Sequence, residues 1–126
     1  MSIIRCLIVD DEILLRTLIV RAFSNSGFIC EQAKDGYVAI NMAEETSYDF
    51  IVSDLFMPNM DGKQLIVELL TLPTRPIVYV VTGVATDDEE KELLELGAES
   101  VERKPIDLAK FVEKIEMRFT NGRIEK

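Results

Sequence analysis

The chain has 126 residues, 48% of them apolar and 29% charged, and it contains no histidine. That length suits one domain with a core large enough to need no disulfide or metal staple, and the composition excludes wholesale disorder. Fourteen Lys and Arg against 23 Asp and Glu leave a formal net charge of −9, which repels nucleic acid; the lack of histidine excludes His-based triads, His-liganded zinc and a phosphohistidine donor within this chain.

Along the chain the hydrophobic period alternates between continuous runs and helical stripes. Ile3 to Val9 is apolar apart from Arg5, which suits a strand buried on both faces. Leu15, Leu18, Ile19, Ala22 and Phe23 recur at helical spacing, and Gly27 supplies a stop. Phe28 to Ala33 reads as a second strand, Asp35-Gly36 as a turn, and Ala39, Met42 and Ala43 as a helix. Phe50 to Ser53 is a short third strand. Asp61 with Gln64 three residues on resembles a capping pair that opens a helix to about Leu70. Ile77 to Val81 is a β-branched fourth strand. Thr86 and Glu89 form a second capping box, with Asp87, Asp88, Glu89 and Glu90 at the positive end of the helix dipole, so that acidic run is a helix start rather than a binding surface. Gly97 ends this helix, and Ser100 to Glu102 is a short fifth strand. Leu108, Phe111, Val112, Ile115 and Phe119 keep helical spacing, Asn121-Gly122 reads as a stop, and the rest as a tail or linker stub. A domain over residues 1–120 with a tail over 121–126 is expected, which leaves open a stand-alone unit or one module of a longer protein.

Five strands alternating with five helices imply a three-layer α/β/α domain with a doubly wound parallel sheet. Cys6 and Cys30 form no CxxC motif and lie in apolar segments, so buried reduced thiols are expected rather than a metal or redox pair. No apolar run approaches the ~20 residues that span a bilayer. In MSIIRCLIVDD an acidic pair stands where a signal peptide would stay apolar or turn to small residues. A soluble, cytoplasmic protein without membrane contact is expected.

In a parallel sheet of this type, ligands bind beyond the carboxyl ends of the strands. Asp10 and Asp11 follow the first strand, Asp54 the third, Thr82 the fourth and Lys104 the fifth. Each has an ordinary reading by itself, as a turn, loop or surface residue. Together they bring three carboxylates, a hydroxyl and an ammonium to one edge. Such groups suit a hard divalent cation and a phosphoryl group. Mg²⁺ takes oxygen ligands and keeps several waters. An Asp can act as nucleophile and form an acyl phosphate, while Lys and Thr contact phosphoryl oxygens. A shared cation site favours strand order 2-1-3-4-5, because order 3-2-1-4-5 would separate Asp54 from the acidic pair by ~10 Å.

LIVDDE, SDLFMPNMDG, VTG and ERKP stand at the ends of the first, third, fourth and fifth strands. In combination they resemble the response-regulator receiver domain, the phosphoacceptor module of bacterial two-component signalling, from about Ile3 to Phe119. Order 2-1-3-4-5 is the established flavodoxin-like order of the family's chemotaxis member. The resemblance implies that Asp54 accepts a phosphoryl group from the phosphohistidine of a sensor histidine kinase or phosphotransfer protein. It implies Mg²⁺, with Mn²⁺ as substitute, bound by Asp11 and Asp54 directly, by Asp10 mostly through water, and by the Phe56 backbone carbonyl. Thr82 and Lys104 then contact the phosphoryl oxygens, and the Lys104-Pro105 bond is cis. Met57, Pro58, Asp61 and Gly62 match the loop after the phosphoacceptor. The implied output is a change of affinity for a downstream effector through the face of the fourth helix, fifth strand and fifth helix. Such a domain catalyses its own phosphorylation and dephosphorylation and is not a turnover enzyme.

Three positions depart from the family pattern. Val101 stands where an aromatic ring often turns inward on activation, so that ring flip is unavailable. Phe56 replaces the commoner polar residue two after the phosphoacceptor, and is expected to shield the acyl phosphate from water. Gly83 replaces a frequent alanine and leaves a more flexible loop. The alternative function is a pseudo-receiver, an interaction module independent of phosphorylation. A flavodoxin-like electron carrier lacks its phosphate loop here, and a dehalogenase-type phosphatase lacks its DxDx(T/V) pattern.

Overall fold

A computed structural model describes residues 3–57 and 60–124. The main strands are β1 (Arg5–Val9), β2 (Ile29–Ala33), β3 (Phe50–Asp54), β6 (Ile77–Thr82) and β7 (Ser100–Arg103). They form one parallel sheet in the order β2-β1-β3-β6-β7. The expected fourth and fifth strands are thus β6 and β7, and the expected order is the observed one. Two-residue strands β4 (Phe56–Met57) and β5 (Met60–Asp61) make an antiparallel ribbon between them that sequence periodicity does not reveal.

The central strands alternate between two cores. Leu7 and Val9 of β1, Ile51 of β3 and Val78 and Val80 of β6 face one side, where α2 (Gly36–Glu45), α3 (Gly62–Leu70) and α4 (Asp87–Leu96) contribute Ala39, Ala43, Leu65, Leu69 and Leu93. Cys6, Ile8, Phe50, Val52, Tyr79 and Val81 face the other, against Ile19 and Phe23 of α1 (Ile13–Asn25) and Phe111 and Ile115 of α5 (Leu108–Ile124). Burial on both faces explains why these strands read as continuous runs.

Local chemistry sets the helix starts. Thr86 and Glu89 close the expected capping box on α4. Asp61 caps α3 by accepting from the Lys63 N–H. Asp35, read as part of a turn, caps α2 by accepting from the Val38 N–H at 2.9 Å. Gly97 ends α4 at φ +122°, where a Cβ would meet a Leu70 methyl. The expected stop at Asn121-Gly122 is not where α5 ends: the helix continues to Ile124. A glycine inside a helix costs only about 1 kcal/mol and does not by itself break it. Pro58, Glu125 and Lys126 lie outside the described residues. Among the described residues, no helix is long and apolar enough to cross a membrane.

Cys6 and Cys30 do not stand apart. They are register partners on β1 and β2, with Sγ atoms 2.6 Å from each other.

Phe23 is the hub of the second core. Its ring lies edge-on to Phe28, Phe50 and Phe111, with centroids 5.7, 5.3 and 5.9 Å away. Such pairs add to the area each ring removes from water. Phe23→Ala is expected to lower the free energy of unfolding by about 3–5 kcal/mol, measured by urea denaturation.

Candidate functional site

The parallel register delivers the site residues. Cys6 pairs with Phe50 and Val9 with Ser53, so β1 and β3 end side by side. Asp10 leaves β1 and Asp54 closes β3, and both are buried, while Asp11 is exposed. One carboxylate oxygen from each of Asp10, Asp11 and Asp54 lies within 4.8 Å of the other two. β6 lies on the far side of β3 and ends in Thr82, which is fully buried. Lys104 follows β7, and the Lys104-Pro105 bond is cis, as expected. Its backbone N–H donates to the Thr82 carbonyl at 2.8 Å.

Lys104 crosses the gap between its own strand and the acidic rim. Its Nζ stands 3.1 Å from Asp54 Oδ2 and 3.5 Å from Asp10 Oδ2. Burial disfavours the Lys104 ammonium, but its hydrogen bond with Asp54 and the charges of Asp54 and Asp10 outweigh burial and hold its pKa above the usual value. Burial raises the pKa of Asp10; the Glu12 N–H opposes this, the Asp54 charge adds to it, and Lys104 opposes it. One ammonium thus faces a cluster of three carboxylates. The rim offers hard oxygen donors close together and only partly compensated, which fits a small divalent cation.

Backbone donors orient the carboxylates. Asp54 Oδ1 accepts from the Phe56 N–H at 3.1 Å, and Asp10 Oδ1 from the Glu12 N–H at 2.8 Å. Gly62 lets the start of α3 press on the chain just after Asp54, because a Cβ there would strike the Leu55 carbonyl. Sequence reasoning missed Arg16. Its guanidinium donates to the Asp10 carbonyl at 2.7 Å and to Gln32 Oε1 at 2.8 Å, bracing the turn that aims Asp10. A basic residue one and a half turns after an acidic pair was the available signal.

Two expected participants are near the rim but differently engaged. The Thr82 hydroxyl bonds within its own loop, donating to the Val84 carbonyl and accepting from the Val84 N–H, both at 3.2 Å. Phe56 pairs with Asp61 in the β4-β5 ribbon, and the residue is 54% exposed. With Gly83 and Val84 it lines an open recess of about 400 Å³ over Asp54 and Lys104. That recess leaves room for a phosphoryl-sized group above the Asp54 carboxylate.

A model of the response regulator receiver domain family matches residues 6–116. The chain is 35% identical over 102 residues to the sensor histidine kinase RcsC of Salmonella typhimurium, covering 81% of this chain and 11% of that protein. It is 35% identical over 107 residues to the regulatory protein AtoC of Escherichia coli, covering 85% of this chain and 23% of that one. The chain therefore spans only a fraction of the length of these relatives. Among solved structures, a CheY-like receiver domain protein from Methanospirillum hungatei superposes with a TM-score of 0.90 at 24% identity, covering 99% and 100% of the two chains. The CheX-CheY-BeF3-Mg+2 complex from Borrelia burgdorferi gives 0.85 at 26% identity, covering 92% and 89%. Fold, rim residues and family match agree, and the chain belongs to the response regulator receiver domains of two-component systems.

Proposed function

We propose that Asp54 is the phosphoacceptor of a signalling switch, charged by the phosphohistidine of a sensor histidine kinase or phosphotransfer protein. The observation that carries this reading is the convergence of Asp10, Asp11 and Asp54 within 4.8 Å, with Lys104 bonded to two of them. Asp11, Asp54 and the Phe56 carbonyl would hold Mg²⁺ or Mn²⁺, with Asp10 acting mostly through water. The cation supplies charge compensation between the attacking carboxylate and the incoming phosphoryl oxygens. Asp54 attacks phosphorus, the bond to the donor's imidazole nitrogen breaks, and an acyl phosphate remains. Lys104 then exchanges its Asp54 contact for a phosphoryl oxygen. Thr82 does the same by giving up Val84, and its loop moves inward. Phe56 and Val84 flank the recess and shield the acyl phosphate from water.

The donor must reach Asp54 past α1. There Ile13, Leu14 and Leu18 are exposed, and a cavity of about 320 Å³ lies against Pro105 and Ile106. An apolar patch beside the rim suits docking of the phosphodonor. Output runs to the face of α4, β7 and α5, which meets a downstream effector. Val101 cannot supply a ring flip there, and Arg103 offers another link. It donates to the Ala85 carbonyl in the Thr82 loop and to Glu90 Oε1 of α4 at 2.9 Å. Movement of the loop thus pulls on α4 and β7 together. Nothing observed favours the alternative of an interaction module independent of phosphorylation.

Incubation with acetyl phosphate and Mg²⁺ is expected to add one phosphoryl group to the intact mass. Asp54→Asn or a chelator should abolish it; uptake by Asp54→Asn would overturn this reading. Lys104→Met is expected to slow uptake about 10- to 100-fold, as for loss of a charged hydrogen bond of about 1.5–3 kcal/mol. Because the Asp10 pKa is raised above 3.8, its ionisation costs stability as pH rises through that value and costs nothing below it. Asp10→Asn should therefore raise the unfolding free energy of the metal-free chain at pH 7. In urea titrations the gain should vanish below pH 3.8.

A further inference from the structure

We propose that Cys6 and Cys30 are a dithiol modification site, which a hydroperoxide converts to a disulfide within the chain. The two residues are register partners on the parallel strands β1 and β2. In-register residues on neighbouring strands stand about 4.8 Å apart, inside the roughly 4.4–6.8 Å range of Cα separations that a disulfide spans. Both side chains turn to the same face of the sheet, among Ile4, Ile8 and Phe28. Their sulfurs are in contact at 2.6 Å, so no backbone movement is needed to bring them together.

The pair is asymmetric in a way that orders the chemistry. Cys6 is fully buried under α1, whereas Cys30 lies on the edge strand and is partly open to solvent. The hydrogen bond from Cys6 favours the Cys30 thiolate, and the Ser24 hydroxyl adds to this. That same contact, with burial, keeps Cys6 protonated. Cys30 is therefore the sulfur that meets the oxidant, and the thiolate is the nucleophile. Its Sγ attacks one oxygen of hydrogen peroxide, the O–O bond breaks, Cys30 becomes the sulfenic acid, and the hydroxide that leaves takes up the proton the Cys30 thiol had released, giving one water. Cys6 Sγ then attacks the sulfenic sulfur, the S–O bond breaks, and the departing hydroxide takes the Cys6 proton as a second water. Two thiols lose two electrons to one hydroperoxide.

The bond would close the chain segment that carries Asp10, Asp11 and all of α1. None of the rim residues takes part, so the site stands or falls independently of Asp54 chemistry. The test is a non-reducing tryptic map of the folded wild-type chain after hydrogen peroxide and alkylation in denaturant. Peptides 6–16 and 22–34 should be joined, and a thiol reductant should separate them. The same peroxide applied to the chain unfolded in urea should join them about tenfold more slowly, because the fold supplies the proximity. In Cys30→Ser, Cys6 should stay an alkylatable thiol. Two alkylated cysteines in the treated wild type, a disulfide between chains, oxygen added to Cys30 alone, or equal rates in the folded and unfolded chain would each overturn the proposal.

Discussion

Mutual repulsion among three carboxylates organises this molecule. Direct pairing of β1 with β3 brings Asp10, Asp11 and Asp54 to one rim, with a carboxylate oxygen of each within 4.8 Å of the others. Two carboxylates ~4 Å apart repel by about 4 kcal/mol at an effective dielectric of 20. The fold holds them there because both cores beneath the rim are closed by large apolar side chains. Lys104, reaching over from β7, relieves only part of the excess charge. On the proposed function, a divalent cation would compensate the acids and a phosphoryl group would engage the ammonium and the hydroxyl.

The link from rim to surface runs through groups of different strength. Lys104 is bonded to buried carboxylates, so disturbing it is expensive. The Thr82 hydroxyl is committed only to its own loop, through two contacts of 3.2 Å. Arg103 with Glu90 and Asp87, and Lys114 with Glu102, tie β7 to α4 and α5 by surface ion pairs, and Arg118 with Glu99 ties α5 to the residue just before β7. Exposed pairs are individually weak. On the proposed function, a small displacement of the Thr82 loop would rearrange this face at low cost. Val101 is half-buried against the core, and beside it Arg103 bonds both the Thr82 loop and α4.

Much of this was legible before any coordinates. Runs of apolar residues marked strands buried on both sides, and helical stripes marked the helices between them. Thr86 and Glu89 announced the start of α4 through the types and spacing that a capping box requires. The rim was legible for a different reason: every strand of a parallel sheet points the same way, so the residue after each strand must arrive at one edge. Asp10, Asp11, Asp54, Thr82 and Lys104 could be read as neighbours without knowing any distance.

Other features depended on contacts between segments far apart in the chain. Register decided that Cys6 meets Cys30, although neither residue type nor spacing paired them. The bracing of Asp10 by Arg16 depends on how α1 tilts against the sheet. The engagement of Thr82 with Val84 depends on the path of one loop, and the β4-β5 ribbon on two short segments too small to show a period. At Asn121-Gly122 local propensity suggested an end, and the helix ran on because neither residue prevents it. The sequence by itself determined which side chains stand at the ends of the strands, because alternation and capping are local effects. Only the tertiary structure decided which of those groups touch, because hydrogen bonds and ion pairs depend on ångström-scale register between strands that no local pattern encodes.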